Sequence, residues 1–188
     1  MPTLFTHPAV PLALALGFGR KVISGRLLLA GMVASVLPDF DVIAFRVGVP
    51  YAAEFGHRGF SHSLIFACIV AVTGGLLFRS ANTSFYRTFW FLFVAAASHG
   101  ILDACTNGGL GVAFFWPWTN ERYFAPLQFI QVSPLSITRF ASIKGIKVLG
   151  SELLWVWFPL IGIAATTAFF RWMPLPEHNP ARKEPRGN

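Results

Sequence analysis

Five apolar runs, each bounded by polar or basic turns, organise the chain. Pro8 to Gly19 predicts a short helix, with Pro8 suited to an early helical position and Gly17 and Gly19 near its end. Arg20-Lys21 closes it. Leu27 to Leu37 predicts a second helix of similar length, stopped by Pro38 in Leu37-Pro38-Asp39-Phe40-Asp41. Neither run reaches the roughly 20 residues of a membrane crossing, so each is extended by its flanks or packed as a partial span. Val42 to Phe55, with Gly48, Pro50 and Glu54, predicts a loop or an interfacial segment. Ser63 to Phe78 and Thr88 to Leu102 are the strongest helical runs, separated by a polar turn from Ser80 to Arg87. Thr106-Asn107-Gly108-Gly109 breaks the fourth run. Leu110 to Gly150 is aromatic and Pro-containing, and predicts an extramembrane or interfacial lobe. Leu153 to Phe170 is the last apolar run, with Pro159 as an expected kink.

Composition turns this pattern into a fold class. The 188 residues are 54% hydrophobic and only 12% charged, against about a quarter charged in soluble domains. With a mean hydropathy of +0.57, the expectation is an all-α, polytopic membrane helix bundle of four or five hydrophobic helices. It forms one domain over residues 1–173, followed by a disordered polar tail over 174–188. The net charge of +7 would suggest nucleic acid in a soluble protein. In a membrane chain, cationic loops report orientation, so the expected partners are membrane lipids and not nucleic acid. Cys68 and Cys105 are too few for a disulfide framework or a zinc ribbon. Met1 to His7 carries no Lys or Arg, so a cleaved signal peptide is not expected.

The ends of the runs differ in chemistry. Arg20, Lys21, Arg26, Arg79, Arg87 and Arg171 mark one set of ends; His7, Asp39, Asp41, His57, His62, His99, Asp103 and Glu152 mark the other. Antiparallel neighbours would gather each set at one membrane face. The basic face is then cytoplasmic and the His/Asp face non-cytoplasmic. Every Asp and four of the five His lie at these ends, with His178 alone in the tail.

His99-x-x-x-Asp103 puts two ligands on one helical face. His57 and His62 flank Gly59, which lets both aim at one point. Asp39 and Asp41 in an extended stretch would point to opposite sides, one to ligate and one to orient a histidine. Imidazole with carboxylate and no thiolate suits a divalent transition metal, zinc or manganese first, and the set is large enough for one or two ions. The expected ligands are His7, Asp39, His57, His62, His99 and Asp103, with Asp41 as orienter or general base. Arg58 is a candidate phosphate clamp or an ion-pair partner of an aspartate, and Glu152 and Arg122 are candidate outer supports. A hydrogen-bonded His–Asp pair at a helix end is an ordinary structural feature too, so the weight rests on the convergence of the whole set. Ser61 and Ser63 read as N-capping hydroxyls of the following helix.

His7-Pro8, Leu37-Pro38-Asp39-Phe40-Asp41, His57-Arg58-Gly59-Phe60-Ser61-His62-Ser63, His99-x-x-x-Asp103-x-x-Thr106-x-x-Gly109, and Trp116-Pro117 followed by Arg122-Tyr123 together resemble the YdjM-type, LexA-binding, inner-membrane-associated metal-dependent hydrolases. The pattern is also distantly similar to the helical zinc phospholipase C and single-strand nuclease fold, which implies phosphoester hydrolysis by metal-activated water; because the His/Asp ends lie at the membrane surface, the expected phosphate-containing substrate is lipid-linked. A non-enzymatic metal-ion carrier or partner-binding scaffold is the alternative. Against a carrier, the acids lie at the segment ends and not mid-span.

Overall fold

Five helices of ten residues or more carry the chain, and no strand occurs among the described residues of the computed structural model, which are 1–78, 83–134 and 137–173. They are α1 (Ala9–Phe18), α2 (Gly25–Val36), α3 (Leu64–Leu77), α4 (Phe85–Ala104) and α5 (Ile143–Trp172). Arg79 and the tail over 174–188 lie outside the described residues.

Local chemistry sets the boundaries. At the end of α1, Gly19 takes φ +78, and its N–H donates to the Ala15 carbonyl. Ser24 and Ser63 cap α2 and α3, each hydroxyl accepting from the backbone N–H three residues on, Leu27 at 3.3 Å and Phe66 at 3.2 Å. After α2 the chain does not extend, as the sequence suggested for Asp39-Phe40-Asp41, but tightens into a 3-10 helix at Leu37–Val42 and a single turn at Ile43–Arg46. Pro38 sits in the first turn of that 3-10 segment, where its missing donor is no loss, so it restarts a helix. The stretch Gly25–Val47 is 23 residues long and apolar enough to cross a membrane.

The second candidate span is α5, 30 residues long. It takes in residues 143–150, the end of the Leu110–Gly150 stretch expected to be an extramembrane or interfacial lobe. Ile143, Ile146, Leu149 and Leu153 recur at helical spacing and stay exposed, and Ser142 caps the start by accepting from Lys144 N. Pro159 does not end the helix. The carbonyl it leaves unserved, that of Trp155, lies inside a π turn at Leu153–Trp157 that absorbs the misfit.

Packing centres on α4, which α2 and α3 both cover. On α3, Ala67, Ala71 and Gly75 form a small-residue stripe against α4, and a Cβ at the adjacent Gly74 would lie 2.1 Å from Leu92 Cδ1. Such stripes drive helix association in lipid, where apolar burial between helices gains little. Helix α1 packs on α5, where Gly17 faces Thr167 and Arg171 donates to the Gly17 carbonyl at 2.8 Å. Most large apolar side chains of α5 point outward, among them Leu154, Phe158, Ile163 and Phe169. Between α4 and α5 the chain is irregular, with isolated bridges Thr106–Ile130 and Val112–Tyr123. This antiparallel arrangement brings the His/Asp ends of the helices together.

Candidate metal centre

Four ligand-type side chains from three segments meet at the end of α4. Asp39 comes from the 3-10 segment after α2, His62 from a 3-10 turn at Phe60–His62 before α3, and His99 and Asp103 from the last turns of α4. All four are buried, with one ligating atom of each within 4.8 Å of the others. His62 Nε2 lies 3.0 Å from His99 Nε2 and 3.2 Å from Asp103 Oδ2, and His99 Nε2 lies 3.3 Å from Asp39 Oδ1. The longer separations are 3.9 Å from His62 Nε2 to Asp39 Oδ1 and 4.0 Å from His99 Nε2 to Asp103 Oδ2. Donors about 2.0–2.1 Å from a tetrahedral ion are roughly 3.3–3.4 Å from one another. The observed spread brackets that value.

The hydrogen bonds behind the ligands fix which nitrogen faces the centre. His99 Nδ1 lies 2.7 Å from the Ser35 carbonyl, which can only accept, so Nδ1 carries the proton and Nε2 keeps its lone pair. His62 Nδ1 faces Asp41 Oδ2 at 3.2 Å and Ser61 Oγ at 3.0 Å, which turns its Nε2 inward by the same logic. Both oxygens of Asp39 and of Asp103 are buried without a hydrogen bond. Two imidazole lone pairs and two carboxylates aimed at one buried point fit a divalent cation. Burial favours neutral His62, but the Asp103 and Asp41 carboxylates, 3.2 Å from its Nε2 and Nδ1, more than offset it and raise its pKa to about 9. A proton and a cation therefore compete for its Nε2.

Asp41 is the hub behind the histidines. Its Oδ1 lies 2.6 Å from His57 Nδ1, and its Oδ2 accepts from Ser61 Oγ at 2.6 Å and Arg58 N at 3.1 Å. The sequence placed His57 among the ligands; the structure puts it in a second group, Asp41–His57–His62, that shares His62 with the first. Ser63 is a cap, whereas Ser61 is not, its hydroxyl being taken by Asp41. Arg58 is fully buried with φ +64. Its Nε lies 3.0 Å from Asp103 Oδ2, and its Nη atoms donate to the Gly108 carbonyl and Thr106 Oγ1, so of its two candidate roles the ion pair is the one present. Arg122 stays outside the cluster, donating to the His57, Ala53 and Tyr51 carbonyls and so pinning the histidine loop.

His7 is completely buried, stacked on His99 with centroids 3.7 Å apart and its Nε2 3.6 Å from Asp39 Oδ2. Burial pushes its pKa down to about 3. Neither ring nitrogen has a hydrogen bond; it stands beside the four-residue group and not within it. The arm carrying it is clasped by Glu152, whose carboxylate accepts from Thr3 N and, at 2.7 Å each, from Thr3 Oγ1 and Thr6 Oγ1. Ser35 contributes only a backbone carbonyl, which leaves no mark in the sequence. Thr106 and Gly109, by contrast, lie in the motif after Asp103, and a Cβ at Gly109 (φ +93) would meet the Arg58 guanidinium at 2.7 Å.

Comparison with known proteins relates the chain to inner membrane proteins. The inner membrane protein YbcI of Escherichia coli (strain K12) is 48% identical over 160 residues, covering 85% of this chain and 92% of that protein. The uncharacterized protein YvsG of Bacillus subtilis (strain 168) is 30% identical over 92 residues, covering 45% of this chain and 54% of that protein. No solved structure matches the chain. The model of the YdjM inner membrane protein family matches residues 1–175, and with the likeness to YbcI this match makes the chain a member of that family.

Proposed function

We propose that the protein is a multi-pass inner-membrane, metal-dependent hydrolase of phosphoesters, acting on a lipid-linked substrate at the non-cytoplasmic surface. The observation that carries the reading is the pair of Nε2 atoms 3.0 Å apart between two carboxylates without hydrogen bonds. Asp39, His62, His99 and Asp103 would hold the ion, zinc or manganese by donor type. Bound there, it would supply Lewis acidity toward a phosphoryl oxygen and a water of lowered pKa. Asp41 holds His62 and His57 in orientation, and the Asp41–His57 pair is the proton-handling group beside the centre. Arg58 balances part of the charge of Asp103. The acids lie at helix ends and not mid-span, and this supports a hydrolase over a carrier with a mid-span path.

The test uses purified protein, measured for bound transition metal and for hydrolysis of phosphomonoester and phosphodiester lipids. His62→Ala and Asp103→Ala should lose metal and hydrolysis together. Bound metal without hydrolysis, but with metal uptake into liposomes, would replace this reading by a carrier; no bound metal in the parent protein would overturn both.

A further inference from the structure

The end of the bundle opposite the His/Asp cluster has a chemistry of its own. Arg20, Lys21, Arg26, Arg87 and Arg171 end or begin helices there. Among the described residues no acid joins them: Asp39, Asp41, Asp103 and Glu152 sit at the other end, and Glu54 and Glu121 in the loops beside the cluster. Arg20, Lys21 and Arg87 are exposed, with no carboxylate partner in any described ion pair.

Beside these charges, an apolar groove of about 400 Å³ runs between α1 and α4, lined by Leu14, Phe18, Val22, Trp90 and Val94, with Arg87 at its mouth. Phe18 is also a wall of a neighbouring cleft of about 360 Å³ formed with Arg20, Lys21 and Trp172. From Arg87 to Val94 the groove follows α4 for ~10 Å, which keeps it within the roughly 15 Å hydrocarbon depth of one leaflet. Trp90 is 59% exposed and Tyr86 73%, as amphipathic rings are at a membrane interface.

We propose that this end binds an anionic phospholipid of the adjacent leaflet, its acyl chain in the α1/α4 groove and its phosphate held by Arg87 together with Arg20 and Lys21. Unpaired cations over an apolar groove complement that ligand in both charge and polarity. A second copy of the chain seated here would bring its own cations against these, without acids to offset them.

The experiment incubates the full-length protein in detergent with equal amounts of phosphatidylglycerol and phosphatidylcholine of matched chains, and counts retained lipid by native mass spectrometry. The parent should prefer phosphatidylglycerol by about fivefold per engaged cation. The combined variant Arg20→Gln, Lys21→Gln, Arg87→Gln should bring the two lipids near parity, and Val94→Trp, which fills the groove, should lower retention of both. Equal retention by the parent, or a preference unchanged in the triple variant, overturns the proposal. Should the triple variant fail to fold, the Val94→Trp arm decides it, because retention unaffected by a filled groove places the lipid elsewhere. Helix content and melting of the variants serve as the folding control.

Discussion

Asp41 is the residue on which both histidine orientations depend. One oxygen takes His57, and the other takes Ser61, Arg58 N and His62. Asp41→Asn keeps the shape but removes the charge and turns an amide N–H₂ toward donors. Metal affinity, read by calorimetry, should fall about 10- to 100-fold, the usual cost of losing such a support, with helix content unchanged. Two histidines predict how the metal-free protein responds to pH. His62, with its folded pKa at about 9 above the ordinary 6.5, contributes stability that is present below pH 6.5 and lost as pH rises through 9. His7, held at about 3, contributes stability present above pH 6.5 and lost as pH falls toward 3. Melting of metal-free protein should therefore worsen in both directions, and bound metal should abolish the alkaline loss by replacing the His62 proton. Asp39 and Asp41 were expected to face opposite ways from an extended stretch; a 3-10 turn separates them instead, Asp39 joining the four-residue group and Asp41 the group with His57 and His62. The role of the Ser61 hydroxyl was not legible in the sequence, since capping and carboxylate bonding draw on the same residue type.

At the scale of elements, the clasp between α5 and the N-terminal arm makes the clearest prediction. Glu152→Ala leaves Thr3 and Thr6 without their shared acceptor in a buried place, at a cost of about 3 kcal/mol. It should expose the arm to proteolysis and weaken metal binding through the loss of His7, although Glu152 touches no member of the four-residue group. Gly100 gives a second test. A Cβ there would lie 3.0 Å from the His62 carbonyl and 3.1 Å from the Phe114 ring, so Gly100→Val should displace the His62 turn and reduce metal affinity with every ligand still present. The helical cores were readable from their apolar runs, and Ser63 from its capping chemistry. The first turns of α5 were obscured by Lys144, Lys147 and two glycines, which look like a loop until the exposed Ile143, Ile146 and Leu149 are set on one helical face. The clasp itself joins residues 149 positions apart, a separation at which a single sequence carries no pairing signal.

The whole molecule is polarised in its acids: among the described residues Asp39, Asp41, Asp103 and Glu152 lie at one end of the bundle, with Arg58 and Arg122 beside them, and no acid joins Arg20, Lys21, Arg26, Arg87 and Arg171 at the other. The acid-free basic turns at one end predict, by the positive-inside rule, that the His/Asp cluster faces away from the cytoplasm, and cysteine labelling tests this. In a background with Cys68 and Cys105 replaced, Val47→Cys, 75% exposed near the cluster, should react with a membrane-impermeant thiol reagent in outer-membrane-permeabilised cells, whereas Lys21→Cys should react only after the inner membrane is opened. The central claim is that Asp39, His62, His99 and Asp103 form a metal site. Its most direct test is the metal content of the purified protein by plasma mass spectrometry, beside His99→Ala and Asp39→Ala variants of intact fold. The account predicts about one or two divalent transition-metal ions per chain in the parent and a loss of metal in each variant; a parent without metal after supplementation, or variants that retain the parent's full complement, would contradict it.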